Sequence, residues 1–148
     1  MYINNKKLQT QELLSVLAET KDIHEFLVNH ESELDNLELH THLYNLMIQS
    51  GLTIPQLIEK ANISKSLAYQ IFNGQRIPNR NLLIRIAIVL KLDLDVTQRL
   101  LKKAKKGELY PRVQRDAAII FGIQHHYNLL DMNELLDNIG EAILLKED

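Results

Sequence analysis

The chain has no cysteine, which rules out disulfides, thiol catalysis and thiolate zinc sites and makes a cytoplasmic setting the default expectation. Five glycines and three prolines among 148 residues argue against long flexible linkers. No apolar run approaches the roughly 18 residues of a membrane span, and the polar opening from Met1 to Thr10 speaks against a signal peptide. A glycine-rich phosphate loop and a nucleophile elbow are missing too. The histidines His24, His30, His40, His42, His125 and His126 lack the helical i, i+4 pairing with an acid that zinc enzymes use. The sequence therefore predicts neither an enzyme nor a metal or cofactor site.

The most local absence is that of carboxylates. From Lys60 to Leu92 there is no Asp or Glu, although the whole chain carries 19 acidic residues against 17 basic ones. Charge is laid out in blocks: residues 1–40 carry −5, residues 41–110 carry +7 and residues 111–148 carry −4. A basic centre with acidic flanks is a field that attracts polyanions.

Apolar spacing follows the helical period throughout, with no convincing strand, so the expected fold class is all-α. A first helix is expected over Thr10 to Ala18 with Leu13, Leu14 and Leu17 on one side, and a second from Asp22, where Asp22 and Glu25 have capping-box spacing. A third covers about His40 to Gln49, with Leu43, Tyr44, Met47 and Ile48 inward and Gly51 as its stop. Thr53 caps Ile54 to Ala61, where Pro55 sits in the tolerant first turn. Asn62 takes a sharp left-handed turn, and Ser64 caps Lys65 to Phe72, which Asn73-Gly74 ends. Asn79 caps a helix to about Leu90, and Asp95 with Gln98 opens another that Gly107 closes. Pro111 begins a helix to about His126, and Asp131 with Glu134 caps the last, Met132 to Leu144. The expected organisation is an acidic helical arm at 1–36, a central domain at 37–107 and a helical extension at 108–148.

Two short helices joined by a three- or four-residue turn make a helix-turn-helix. The residues Gly51-Leu52-Thr53, Leu57, Ile63-Ser64, Asn73-Gly74, Arg76, Pro78 and Leu82 resemble the Cro/CI type, or Xre family, of helix-turn-helix DNA-binding proteins over about residues 39–106. The resemblance implies a lambda-repressor-like core of five helices, here with additional terminal helices, and a transcriptional regulator that binds double-stranded DNA. It also places Lys65, Ser66 and Gln70 at base-contacting positions.

Physical chemistry points the same way. A helix in the major groove, about 12 Å wide, has phosphates on both sides, so nearby carboxylates are repelled while each Lys or Arg contact releases counterions. The first turn of the helix after Ser64 projects Lys65 and Ser66, and Tyr69 and Gln70 share that side one turn later. Lys65 suits guanine, Gln70 suits adenine and Ser66 suits either. Tyr69 is read as a base or phosphate contact, or as a half-buried core tyrosine. Leu67 is placed to touch a thymine methyl, whereas Ala68, Ile71 and Phe72 face the core. Asn73, Gln75, Arg76 and Arg80 are the candidate phosphate contacts. A solvated loop is the plainer reading of Arg76, and a pair with an acidic arm that of Arg80.

Two departures from the family pattern stand out: Ile54 occupies the position where a Gln usually meets the phosphate backbone, and Ile58 replaces a small residue. The helix Leu82 to Leu90, LLIRIAIVL, is apolar nearly all round and needs covering. Terminal helices or a second protomer can do so, and a homodimer also suits half-sites about 34 Å apart. The rival functional reading is a protein-interaction module, antitoxin-like or inhibitory, that keeps the helix-turn-helix as scaffold and binds a protein partner through its acidic arms.

Overall fold

The structure, a computed structural model, describes residues 8–30, 34 and 37–145. Helices are the regular secondary structure of the described residues, as expected for an all-α, lambda-repressor-like fold with added terminal helices. The chain divides into two compact units, Met1–Leu37 and Glu38–Asp148.

In the first unit, α1 (Thr10–Glu19) and α2 (Ile23–Asn29) follow one another. Of the apolar side expected on α1, Leu13 is half-buried while Leu14 and Leu17 are exposed. Asp22 caps α2 by accepting the amide of His24 at 3.0 Å, and the buried Phe26 stacks on His30. Residues 1–7, 31–33, 35 and 36 of the expected acidic arm lie outside the described residues.

The second unit is built around α6 (Arg80–Val89), against which α4 (Ile54–Ala61), α7 (Leu94–Lys103) and α9 (Leu129–Asn138) pack. Around these, α3 (Leu39–Gln49) meets α5 (Lys65–Phe72) and α7, and α8 (Gln114–Gln124) pairs with α9. Every residue of α6 from Leu82 to Ile88 is buried. Its cover within the unit includes Leu57 and Ala61 of α4, Leu100 and Leu101 of α7, and Met132 and Leu136 of α9. Two helices of the central domain, α4 and α7, together with the C-terminal α9, thus cover the apolar sequence of α6. At the α8–α9 contact, a Cβ on Gly122 would stand 2.3 Å from the Met132 Cε, so the glycine is what permits this approach.

Several expected boundaries shift. Asp93, not Asp95, caps α7 by accepting the Val96 amide at 2.9 Å. Gln98 holds the extended segment after α7 instead, donating to the Leu109 carbonyl and accepting the Leu109 amide at 2.8 and 2.7 Å. Pro111 lies in a turn, and α8 begins three residues later. Asn128 with Asp131, rather than Asp131 with Glu134, forms the reciprocal cap of α9. That helix ends at Asn138, and residues 140–145 run on without regular structure, tied by the Leu144 amide to Asn133 Oδ1 at 2.8 Å. On α3, Tyr44 and Ile48 are exposed rather than inward, and Leu46 takes a core position beside Leu43 and Met47.

Candidate nucleic-acid interface

The turn between α4 and α5 is determined residue by residue. Thr53 and Gln56 exchange backbone and side-chain hydrogen bonds at the start of α4, so the Gln56 side-chain oxygen is engaged in the cap. Asn62 ends α4 in the left-handed conformation, φ 56° and ψ 53°, as its chemistry allows. Two residues on, Ser64 Oγ accepts the Leu67 amide at 3.1 Å and starts α5. Leu57, Ala61, Ile63, Leu67, Ala68 and Ile71 are buried and anchor the two helices.

What remains outward on α5 is a small polar face. Lys65, Ser66 and Tyr69 are exposed and Gln70 is half-buried. Leu67 is 5% exposed, so the expected thymine contact is replaced by a core role: its side chain leaves the helix on the face that meets the core. Phe72 is half-buried and meets Tyr44 in a T-shaped ring contact, centroids 6.3 Å apart.

After α5 the backbone closes on itself. The carbonyl of Gln70 accepts the amides of Gln75 and Arg76 at 2.9 and 3.1 Å, and Asn73 Oδ1 also accepts the Gln75 amide. The Gln75 amide is therefore engaged within the loop. Arg76 is exposed on this loop, beside the exposed Ile77 and the buried Pro78. His40, from the first turn of α3, covers Gly74: a Cβ there would stand 2.9 Å from His40 Nδ1. Glu38 lies 3.7 Å from the same nitrogen. With φ +84° at Gly74 as well, Gly74→Ala is expected to cost about 1–2 kcal/mol and to shift the His40 ring; a chemical-denaturation midpoint equal to that of the parent would contradict this.

Arg80 is placed elsewhere than on this loop surface. Its guanidinium bonds both oxygens of Asp116, at 3.1 and 3.0 Å, and the carbonyls of Gly107 and Glu108. Asp116 also accepts the Tyr110 amide at 2.9 Å. Burial alone would raise the Asp116 carboxyl, but the Arg80 and Tyr110 hydrogen bonds and the charges of Arg80 and Arg115 outweigh it and hold it below its ordinary range. Arg85 is buried, and donates to the carbonyls of Ala61, Asn62 and Leu145. Of the cations in the carboxylate-free stretch, Lys60, Lys65, Arg76 and Lys91 therefore carry the exposed charge. Sequence reasoning named Arg76 and Arg80 as candidate phosphate contacts and gave Arg85 no role; which arginines turn inward depends on partners 23 to 60 residues away.

The family model described as helix-turn-helix matches residues 43–96, a little over a third of the chain. Those residues form a helix-turn-helix domain of the Cro/CI, or Xre, type. No curated protein and no solved structure matches the chain. The helix-turn-helix type is a DNA-binding one, and in this domain α4 and α5 are the pair joined by the Asn62 turn. Ile54, at the usual Gln position, is half-buried against the core of the helix-turn-helix domain. No described helix is long and apolar enough to cross a membrane.

Proposed function

We propose that the protein is a sequence-specific, DNA-binding transcriptional regulator of the Xre type that acts in the cytoplasm as a homodimer, with α5 in the major groove. The observation that carries this reading is the split of α5 into a buried face of Leu67, Ala68 and Ile71 and an outward face of Lys65, Ser66, Tyr69 and Gln70. Such a face, rigid on one side and rich in donors on the other, is what base readout requires. Asn73, Gln75 and Arg76 serve the phosphates. Arg80 is assigned to the framework instead, because its guanidinium already makes four hydrogen bonds within the chain. In this reading residues 37–107 form the DNA-binding part, and 1–36 and 108–148 are additions to it.

The test is a titration with duplex fragments from the gene's own upstream region at several salt concentrations. Specific binding that weakens steeply with salt is expected. Gln70→Ala should cost about 1–3 kcal/mol and relax one base preference, while Arg76→Ala should weaken all sequences alike. Equal losses on specific and random DNA for Gln70→Ala, or a loss confined to one sequence for Arg76→Ala, would overturn these roles.

A second reading, a protein-interaction module on a helix-turn-helix scaffold, draws on the exposed Tyr44 and Ile48 of α3 and the exposed Ile77. Absence of any salt-sensitive, sequence-dependent binding in the same titration favours it.

A further inference from the structure

A cleft of about 560 Å³ opens where the end of α6, the penultimate residue of α4 and the α8–α9 turn meet. Its size falls in the range of about 300–1,000 Å³ that holds small organic ligands. The wall is apolar: Ile88 and Ile123 form well-buried parts of it, and Leu92 and Leu129 are half-buried. Two lysines line the cleft, Lys60 from α4 and Lys91 from the turn after α6, both exposed residues. His126, from the α8–α9 turn, also lines it. Among the described residues, no Asp or Glu lines the cleft.

These features define a ligand class. An apolar concavity gains by covering a hydrocarbon body, and the partly exposed Leu129 and Leu92 offer surface still to be covered. Two lysines with no carboxylate in the lining favour a negative end group and repel a positive one. No described residue of α5 lines the cleft, which is therefore separate from the α5 face. We propose that it is a binding site for a small amphipathic anion, an apolar body ended by a carboxylate or a phosphate monoester. Lys60 and Lys91 hold the anionic end, and the walls of α6, α8 and α9 take the body. Because Lys60 belongs to α4, the occupied site links the first helix of the helix-turn-helix to the α8–α9 pair.

Octanoate, octyl phosphate, 1-octanol and octylammonium separate the alternatives, each titrated into the full chain with amide chemical shifts as the readout. Octanoate or octyl phosphate is expected to shift amides of residues 88–92 and 123–130, and to bind at least about tenfold more tightly than octanol, the step worth one decade in Kd. Whichever of the two anions binds better identifies the end group. In the Lys60→Gln/Lys91→Gln variant, in which both positions are exposed and circular dichroism checks the fold, the advantage over octanol should vanish. Lys65→Gln, outside the cleft, should keep it. Equal binding of acid, alcohol and amine, shifts confined to other residues, or no binding by any probe overturns the proposal.

Discussion

Arg85→Ala is expected to lower the unfolding free energy by about 3–5 kcal/mol, the combined cost of a cavity and of carbonyls left without their charged donor. The side chain is 3% exposed, and its guanidinium serves the carbonyls of Ala61 and Asn62, at the end of α4, and of Leu145. Carbonyls in the last turn of a helix have no intrahelical donor and carry the negative end of its dipole, so a cation is well placed there. Truncation leaves those acceptors without the guanidinium and opens a cavity in the middle of α6. Arg85→Met separates the two effects, because it keeps the stem and removes the donors. We expect Met to recover the packing share only, leaving a loss of about 1–3 kcal/mol for the unmet carbonyls. Urea unfolding decides the matter: a Met variant as stable as the parent would show that the hydrogen bonds contribute nothing. Since Ala61 and Asn62 lead into the turn before α5, Arg85→Ala should also weaken DNA binding on every sequence.

The second large effect concerns Arg80 and Asp116, and it depends on pH. The pair is mostly shielded, with side chains 29% and 8% exposed, so we expect about 2–3 kcal/mol for Asp116→Asn at neutral pH, below the fully buried range. The lowered carboxyl gives the sign. A folded-state pKa below the unfolded one favours the folded state above the unfolded pKa, ordinarily 3.8, and that contribution is lost as pH falls through the lowered value. The stability gap between parent and Asp116→Asn should therefore be full at pH 7 and shrink below about pH 4. Unfolding midpoints measured from pH 7 down to about pH 3 test this; a gap of constant size would remove the pair as its source. The loop at 107–110 should loosen in the same variant, because Arg80 holds the Gly107 and Glu108 carbonyls and Asp116 holds the Tyr110 amide.

How much was legible beforehand follows from the range of the interactions. Thr53, Ser64 and Asn79 were readable as caps because each bonds an amide three residues ahead. The left-handed Asn62 was readable because few other side chains tolerate that backbone. The caps at Asp93 and Asn128 were harder, since two capping-type residues stand close together in each place and local chemistry does not rank them. Gln98 left the cap role expected of it because an amide and carbonyl of Leu109, eleven residues on, bond it from both sides. Leu67 and Tyr44 exchanged the faces expected of them for the same kind of reason: a helical period defines a stripe, but docking between helices sets which edge of the stripe is covered.

By itself, the order of residues determined the all-helical class, the helix-turn-helix with its turn and caps, and the polar face of α5, because those depend on backbone chemistry within about one helical turn. Only the tertiary structure decided which arginines remain at the surface, what covers α6 and where a cleft forms beside Lys60 and Lys91. Those outcomes rest on burial and on partners distant along the chain, and a charge or an apolar side chain has no preferred neighbour until packing supplies one.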